Sequence, residues 1–523
     1  MPQWFTKKIK EKEQSLYVTP KPPPTESIRL TGNAEKDLSV IRAALHDTAD
    51  FMVREITVCG IPVKLMMFEG MFGLQTLTEI MLEPLGDLVL DKPSPEELRD
   101  WILHRAVLGM DQNEVETLGE LFPFLMSGFA GIMIDGIEKV IVAGVQGFQF
   151  RSVSEPSAEE NVRGSREGFT EPIRINMTMV RRRVKSSTLK MELMKAGVKS
   201  HTDLCLIYQT DMVAPELLRD IRRRIQEIPT DIILESGYVQ PFLDTDITSI
   251  FSNVGTTQRP DTLCAKISEG RVGILVDGTP FALIVPYFFN ENFQSIDDYT
   301  HRPYYAVFER WLKYLAFFFT ILLPGFYVAV GTFHPELLPE ALLLNVTAAE
   351  QDVPFPLVIE ALLIHFIYEL MREAGLRLPR PIGHAIGIIG ALVIGDAAVT
   401  AGIIGSSMVM VVALTALSSF VVPSLYEPAA VLKFVFILIG GTWGLFGISV
   451  GMVLLLANLC ALESFGIPIT APTSPCAAAD FRDNFWRSSW EKLGKLRLRV
   501  QDLPGSRLKD ERSAGSKKGE GRC

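Results

Sequence analysis

The sequence lacks the motifs that mark the common classes of enzyme. It contains no HExxH or GxSxG motif and no P-loop ending in Gly-Lys-Ser/Thr, and its seven histidines are dispersed. The segment LDTDIT at 243–248 holds two carboxylates but lacks the downstream Gly and Glu of a calcium loop. These absences exclude the zinc-protease, serine-hydrolase and P-loop classes. We therefore expect no enzymatic activity, no cofactor and no metal site.

Cysteine is scarce and scattered. The six cysteines form no CxxC pair, which argues against a disulfide framework or a zinc site and fits a reducing compartment. The first residues, MPQWFTKKIKEKEQ, lack an apolar stretch, so no cleavable signal peptide is visible. We expect the N-terminal region to stay in the cytosol.

Excess positive charge is also missing from the chain as a whole. The net charge of −10 carries no nucleic-acid signature, so we expect no nucleic-acid partner. Only the end of the chain differs, because residues 476–523 hold 12 Lys/Arg against 7 Asp/Glu, a net of +5. The basic segment KLGKLRLR at 492–499 either contacts anionic membrane lipid or is disordered.

Long apolar runs are abundant, and they are confined to residues 314–475. A helix needs about 17–25 apolar residues to cross the hydrocarbon core of a bilayer. The runs are Tyr314–Gly331, Val353–Met371, Ile382–Ile403, Ser407–Val422 and Phe434–Leu462. Lys313 and Arg310 precede the first run, so the positive-inside rule places its start in the cytosol. The chain is thus predicted to be an integral membrane protein with about four to six apolar helices.

The last apolar run is long for one helix and contains Gly440 and Gly441. A hairpin of two helices would return the basic tail to the cytosol, whereas a single tilted helix would not. We favour the hairpin, which follows a short loop ending near Lys433.

Ionisable residues inside the apolar runs are candidates for function, since a mid-helix carboxylate costs roughly 2.5–3.5 kcal/mol on insertion. We take Glu360, His365, Asp396 and the neighbouring Gly395 as candidate pore or gating residues. The alternative is that Glu360 lies near an interface, or that its helix only lies on the membrane. Gly395 belongs to a series of small residues that favours close helix packing, and a path lined by small side chains is the sharper alternative.

The soluble half contains an apparent duplication. VKLMMFEGMFGLQTLTEIML, from Val63, resembles TDLCLIYQTDMVAPELLRDI, from Thr202, and each predicts a strand, a turn and an amphipathic helix. IMIDGIEKVIV, from Ile132, resembles ILVDGTPFALIV, from Ile274, and each predicts a hairpin with an Asp-Gly turn. The two motifs recur in the same order at nearly equal spacing. They indicate two related α/β subdomains, although short apolar strands can also resemble one another by chance.

Acids and arginines alternate in the segment between the two predicted subdomains. We expect a joint between subdomains or subunits, because the signs of the charges are mixed; binding of phosphate or lipid headgroups is the alternative. The candidate joint residues are Glu155, Arg163, Arg166, Glu171, Arg181, Arg182 and Arg183.

The predicted fold is an α/β duplicated soluble N-terminal region followed by an all-α polytopic membrane bundle. The predicted divisions are a flexible tail (1–34), soluble subdomain 1 (35–150), linker and soluble subdomain 2 (151–305), a transmembrane domain (306–475) and a basic cytosolic tail (476–523).

Several segments between about 35 and 475 resemble one family. They include EPSAEENVRGSREGFTEPIRINMTMVRRR, QRPDTLCAKISEGRVGILVDGTPFALIVP, VPFPLVIEALL, REAGLRLPRPIG, LVIGDAAVTAG and SFGIPITAP. They are similar to the A subunits of GerA-type spore germinant receptors, more than to the related SpoVAF-type protein.

The resemblance implies a place in the inner membrane of bacterial endospores, with the soluble region on the core side. It implies partnership with a transporter-like B subunit that senses the germinant, a lipoprotein C subunit, and further copies of the A subunit in a homo-oligomer. It also implies coupling of germinant sensing to ion release, with the A subunits as the ion-conducting part. A non-conducting scaffold, or a SpoVAF-like accessory protein, is the alternative.

Overall fold

The computed structural model describes residues 27–91, 93–104, 111–147, 159, 161, 163–246, 249–351, 353–377, 395–475, 483–493 and 499–508. Two five-stranded antiparallel sheets form an N-terminal head, and long apolar helices follow it. The head helices are α1 (Ala34–Ala44), α2 (Pro95–His104), α3 (Leu118–Leu125), α4 (Ile173–Arg183), α5 (Pro215–Gln226) and α6 (Pro260–Ile267). Short helical turns cover Leu74–Leu77, Thr78–Leu82, Glu83–Gly86, Ser236–Tyr238, Gln240–Leu243, Phe289–Phe293 and Asp297–Thr300.

The two sheets have the same topology. The first comprises β1 (Phe51–Val58), β2 (Ile61–Phe68), β3 (Gln112–Val115), β4 (Phe129–Ile134) and β5 (Val140–Gly144), in the order β1-β2-β4-β5-β3. The second comprises β6 (Leu189–Ala196), β7 (Thr202–Gln209), β8 (Gly255–Thr257), β9 (Val272–Val276) and β10 (Ala282–Val285), in the order β6-β7-β9-β10-β8. Each sheet is covered on both faces by apolar side chains from helices. We call these units repeat 1 and repeat 2.

The Asp-Gly turns have the same structural role in both repeats. Gly136 and Gly278 adopt positive φ angles of 94° and 90°, which glycine tolerates without strain. The preceding aspartates accept hydrogen bonds from the first residues of the equivalent helices: Asp135 from the Ala34 amide at 3.1 Å, and Asp277 from the Ile173 amide at 3.0 Å. Each turn therefore caps a helix that packs on its own sheet, because the first amides of a helix lack partners within it.

The helical region follows the head. It contains α7 (Pro303–Phe333), α8 (Glu340–Glu350), α9 (Leu357–Arg377), the short helix Gly395–Thr400, α10 (Ser406–Val421) and α11 (Tyr426–Ala461), with short turns at Pro335–Leu337 and Pro423–Leu425. Two helices in the described part of the chain are long and apolar enough to cross a membrane, Pro303–Phe333 and the run Pro423–Ala461. The two sheets and the helical region confirm the coarse fold class, whereas the number of spans stays a prediction.

Helix α11 is a hairpin of two arms. Gly444 has φ 62° and ψ −151°, which is not helical, and it divides the helix into arms of about 18 and 17 residues, roughly 26 Å each at 1.5 Å per residue. The arms run antiparallel, because a β-carbon placed on Gly451 would lie 3.0 Å from the ring of Phe436. The hairpin begins earlier than predicted, at Tyr426. The prediction that Lys433 ends a loop was wrong, because Lys433 is buried in the first arm.

Both ends of this hairpin lie against the head. Before it, the Ser424 hydroxyl donates to the carbonyl of Asn292; after it, the amide of Phe289 donates to the carbonyl of Ile469 at 2.9 Å. The chain after α11 continues through a small ladder of β11 (Glu463–Ser464) and β12 (Ile467–Pro468), then the short helix Trp490–Leu493 and the turn Val500–Asp502. The head and the C-terminal segment thus lie at the same end of the helices, and the turn at Gly444, the tip, lies at the other.

Candidate functional site

Glu360 is the most deeply buried acid of the helical region. It lies in the first turn of α9, a helix that begins directly after Pro356, and its exposed fraction is 0%. Its Oε1 accepts a hydrogen bond of 2.7 Å from the amide of Gly405, which precedes α10. Its Oε2 is buried and has no hydrogen-bond partner among the described residues. One carboxylate oxygen is therefore held by the start of a neighbouring helix, where amides are available, and the other is free.

A second acid and two hydroxyls surround the same point. Tyr327 of α7 donates to Ser407 at 2.7 Å and lies 3.3 Å from Oε1 of Glu350, at the end of α8. A β-carbon at Gly405 would lie 2.9 Å from that Glu350 oxygen, so the acids meet at the Gly405 backbone. We call Tyr327, Glu350, Glu360, Gly405 and Ser407 the carboxylate cluster. Sequence reasoning missed Glu350, because it ends an eleven-residue helix of mixed polarity outside the long apolar runs.

His365 and Glu369 lie further along α9 in different surroundings. His365 is buried, its Nδ1 is 2.8 Å from the Ala361 carbonyl, and its Nε2 has no partner among the described residues. Glu369 receives the Lys433 ammonium at 2.6 Å and the hydroxyl of Tyr426. Helices α9 and α11 are therefore joined by the ion pair between Glu369 and the buried Lys433. Nothing in the sequence near Lys433 identifies Glu369 as its partner, because the two residues are 64 positions apart.

Asp396 is not brought to the carboxylate cluster. It lies with Gly395 in the first turn of the short helix Gly395–Thr400, and its side chain is exposed. The two predicted acids therefore differ in environment: Glu360 is enclosed by its own chain, and Asp396 faces outward. Most of the predicted run Ile382–Ile403 lies outside the described residues.

Arg181 joins the two repeats of the head. Its guanidinium donates to both oxygens of Asp50, at 2.7 and 2.9 Å, and to the hydroxyl of Thr48 at 3.1 Å. The side chains of Arg181 and Asp50 are only 1% and 4% exposed. Asp50 precedes the first strand of repeat 1 and Arg181 lies in the last turn of α4 of repeat 2, so this bidentate pair lies across the joint. The guanidinium also lies 4.9 Å from the centre of the Phe68 ring.

The other predicted joint residues make separate contacts. Arg182 and Arg183 both pair with Glu167, which lies a few residues before α4. The backbone amide of Arg163 donates to Asp297 at 3.2 Å. The backbone carbonyl of Glu171 accepts from the Gly278 amide at 2.9 Å, which closes the cap on α4. Arg166 also has a partner. Glu155 lies outside the described residues.

Arg310 forms a junction that sequence reasoning did not assign. It is completely buried near the start of α7, where it donates to Asp298 at 2.6 Å and to Asp483 at 2.9 Å. The same guanidinium donates to the carbonyl of Asn484 at 2.8 Å. One side chain thus ties the head, the first long helix and the C-terminal segment together. From the sequence, Arg310 is recognisable only as a positive charge that precedes an apolar run.

A second cluster of buried charges lies within the head, next to a backbone contact with the C-terminal segment. The Glu291 carboxylate accepts hydrogen bonds from Arg271 and from Lys266, each at 2.5 Å. Nearby, the backbone carbonyl of Glu269 accepts a hydrogen bond of 2.9 Å from the amide of Val500 in the C-terminal segment. Burial opposes ionisation of the Glu291 carboxyl, but Arg271 and Lys266 outweigh it and hold its pKa below the usual value.

This lowered pKa predicts a specific loss of stability in acid. A carboxyl group whose pKa is lower in the folded state stabilises the protein above its unfolded pKa, and that contribution disappears as the pH falls from about 4.3 through the folded value. The variant Glu291→Gln should therefore show a shallower fall in the free energy of unfolding over this range than the parent protein. Denaturant unfolding at a series of pH values measures it. The exposed Glu216→Gln is the control, and equal slopes for the parent and Glu291→Gln would contradict the assignment.

The fold and the buried groups define a class of protein: a duplicated α/β head carried on apolar helices that enclose acidic residues. Residues 39–497 match the family described as Bacillus/Clostridium GerA spore germination protein. The chain belongs to the GerA family of spore germination proteins, which confirms the resemblance. That family is not one of enzymes, which confirms that expectation too.

Several relatives match over most of their length. The chain is 35% identical to Spore germination protein KA of Bacillus subtilis over 487 residues, 92% of this chain and 87% of that protein. It is 32% identical to Spore germination protein GerLA of Bacillus cereus, over 88% of this chain and 94% of that protein. It is 41% identical to the Uncharacterized membrane protein YfkQ of Bacillus subtilis, over 70% of this chain and 72% of that protein.

A match is also found among the solved structures. It is the N-terminal domain of the A subunit of the Bacillus megaterium spore germinant receptor GerK3, with 27% identity and a TM-score of 0.39. The match covers 50% of this chain and 98% of that domain.

Proposed function

We propose that this protein is the A subunit of a nutrient germinant receptor in the spore inner membrane, and that it couples germinant sensing to ion release as the oligomeric ion-conducting component. Membership of the GerA family and the names of the germination relatives support the role in germination. The proposed partners are a transporter-like B subunit, a lipoprotein C subunit and further copies of this chain. The head and the C-terminal segment lie on the core side.

The carboxylate cluster is the observation that supports a part in ion movement. Glu360 is fully buried and Glu350 is half-buried. Holding two carboxyl groups together in this way is costly without a compensating charge, and no cationic side chain contacts either acid among the described residues that surround Gly405. Glu360 is enclosed within one chain, so it serves as a gate between helices rather than as the wall of a path between copies. The exposed Asp396 is free to line such a path, where rings of acids favour cations.

Neutral variants of these two acids test the proposal. Glu360→Gln and Asp396→Asn should slow germinant-triggered potassium release from spores while the protein accumulates to the normal level, because each replaces an ionisable carboxyl group by an amide of nearly the same shape. The matched control is Glu373→Gln, an exposed acid of α9 that pairs with Arg377 one turn further along the helix. Normal potassium release from both test variants would reject the proposal.

A non-conducting scaffold is the second candidate, and the burial of Glu360 favours it. An acid whose oxygen is held by the start of α10 can serve helix packing alone. The purified protein reconstituted in liposomes separates the two functions. A conducting subunit gives single-channel currents that Asp396→Asn reduces, whereas a scaffold, or a SpoVAF-like accessory protein without a pore, gives none.

A further inference from the structure

An exposed stripe of ring and apolar side chains runs down the outside of α7. Tyr304, Phe308, Trp311, Leu315 and Phe318 follow one another at helical spacing, and every one of them is exposed. The stripe begins at the head and continues without interruption into the apolar part of the helix. An apolar stripe of this length on a protein surface marks an interaction site.

The C-terminal segment adds more aromatic rings at the end of this stripe that lies next to the head. Phe485 packs against Trp311 and Tyr314, with ring centres 6.4 and 4.8 Å apart. Next to it, Trp486 and Trp490 are 63% and 60% exposed. The indole N–H of Trp490 donates to the carbonyl of Tyr299 at 3.1 Å, which fixes the position of its ring.

Arg310 fixes the position of the C-terminal rings along the axis of α7. Its ion pair with Asp483 holds the C-terminal segment beside the first turns of α7, one residue before Trp311. Because Arg310 is fully buried there, movement of the segment along the helix would break the hydrogen bonds from its guanidinium to Asp483 and to the carbonyl of Asn484, with no water to replace them. Phe485 and the adjacent Trp486 therefore lie beside Trp311, and Trp490 lies beside Tyr299, whose ring centre is 5.8 Å from the guanidinium of Arg310.

A second level of exposed rings lies at the other end of the bundle. Trp443 and Phe446 flank the tip at Gly444, and both are strongly exposed. A β-carbon on Gly444 would lie 3.2 Å from the ring of Phe333, the last residue of α7. Trp311 and Phe333 are 22 residues apart, so the two levels are separated by about 33 Å of helix at 1.5 Å per residue.

We propose that these two levels of rings bound the lipid bilayer, and that the segment 483–490 is an interfacial anchor that lies in the headgroup layer on the head side. The separation matches a hydrocarbon core of about 30 Å. Tryptophan and tyrosine suit this layer, since each carries an apolar ring with a polar N–H or O–H. A second protein chain covering the stripe would not require rings at two levels one bilayer apart. The inference concerns the position of the chain in the membrane and does not depend on ion conduction.

Single-tryptophan forms of the full chain test the proposal. The sequence has six tryptophans, and replacing five of them by phenylalanine leaves Trp311, Trp443, Trp490 or Trp101 as the only indole. Each form is placed in vesicles of phosphatidylcholine and phosphatidylglycerol that contain lipid brominated near the headgroup or deep in the acyl chain. Trp311, Trp443 and Trp490 should lose most of their fluorescence to the shallow label and less to the deep one. Trp101, which packs in repeat 1 of the head, should be quenched by neither.

The leaflets are distinguished by placing shallow brominated lipid in the outer leaflet of vesicles whose protein heads face outward. Trp490 should then be quenched and Trp443 spared. Two results would overturn the proposal: Trp490 as insensitive to brominated lipid as Trp101, which is the outcome for a surface covered by another copy or a partner subunit, or quenching of Trp490 and Trp443 from the same leaflet. The form that keeps Trp311 tests the same level independently of the C-terminal segment.

Discussion

Replacing Arg181 by methionine should lower the free energy of unfolding of the head by about 3–5 kcal/mol, the usual cost of removing one partner of a buried ion pair. Asp50 would keep its charge in an interior where it is 4% exposed and would lose both guanidinium hydrogen bonds. Because the pair spans the joint, the two repeats should also unfold less cooperatively. Denaturant unfolding followed by circular dichroism measures both effects.

A matched control exists on the same helix. Arg174 also reaches from α4 to repeat 1, where it pairs with Glu69 at 2.7 Å, but both side chains are partly exposed. Solvent-exposed pairs contribute up to about 1 kcal/mol, so Arg174→Met should have a small effect. In the double variant Arg181→Met with Asp50→Leu, no unpaired charge remains, and much of the lost stability should return. Equal losses for Arg181→Met and Arg174→Met would show that the joint does not depend on the buried pair.

Replacing Gly440 by leucine should disrupt the contact between α7 and α11. A β-carbon added to Gly440 would collide with the carbonyl oxygen of Gly325, and one added to Gly325 would collide with the carbonyl oxygen of Phe436. The backbones of α7 and α11 are therefore in direct contact at this point, without side chains between them. Backbone cannot move aside as a flexible side chain can. Overpacking a close contact costs about 1–3 kcal/mol even where side chains are free to adjust, and we expect a loss at or above this range. Thermal unfolding of the detergent-solubilised protein measures it.

Gly375 supplies the control for this substitution. It also lies in a long helix, α9, but a β-carbon there would have no neighbour within 4 Å. Gly375→Leu should therefore leave the unfolding temperature almost unchanged or raise it slightly, because leucine favours the helix more than glycine does. If Gly440→Leu were tolerated as well as Gly375→Leu, the close approach of α7 and α11 would not be a feature of the folded protein.

The duplication of the head was accessible to sequence reasoning because its evidence is local. An Asp-Gly pair between two short apolar runs specifies a tight turn by its own backbone preferences, and it recurs at Asp135 and Asp277. The strand order common to both sheets was not accessible in this way. Pairing β3 with β5, or β8 with β10, depends on contacts between segments that are distant in sequence.

The apolar helices were likewise predictable, since apolar length is a property of a continuous stretch. Their boundaries were less so. The sequence predicted a short loop ending near Lys433, where the uncharged run Phe434–Leu462 begins. A lysine inside an apolar helix is costly when it is unpaired. Glu369, 64 residues earlier, removes that cost by pairing with it, and the helix continues through the lysine. The sequence also left a hairpin and a single tilted helix both open for the last run, and the non-helical backbone of Gly444 distinguishes them.

The sequence by itself determined the division into a charged head and an apolar helical region, the turns of the duplicated motif and the membership of the family. Each of these depends on residues that are neighbours in the chain. Only the tertiary structure decided which charges meet. Arg181 reaches Asp50 across 131 residues, and Arg310 reaches Asp483 across 173. Glu360 meets Gly405 in the same way, across 45 residues. The physical reason is that a charge carries no information about which opposite charge the folded backbone will bring to it.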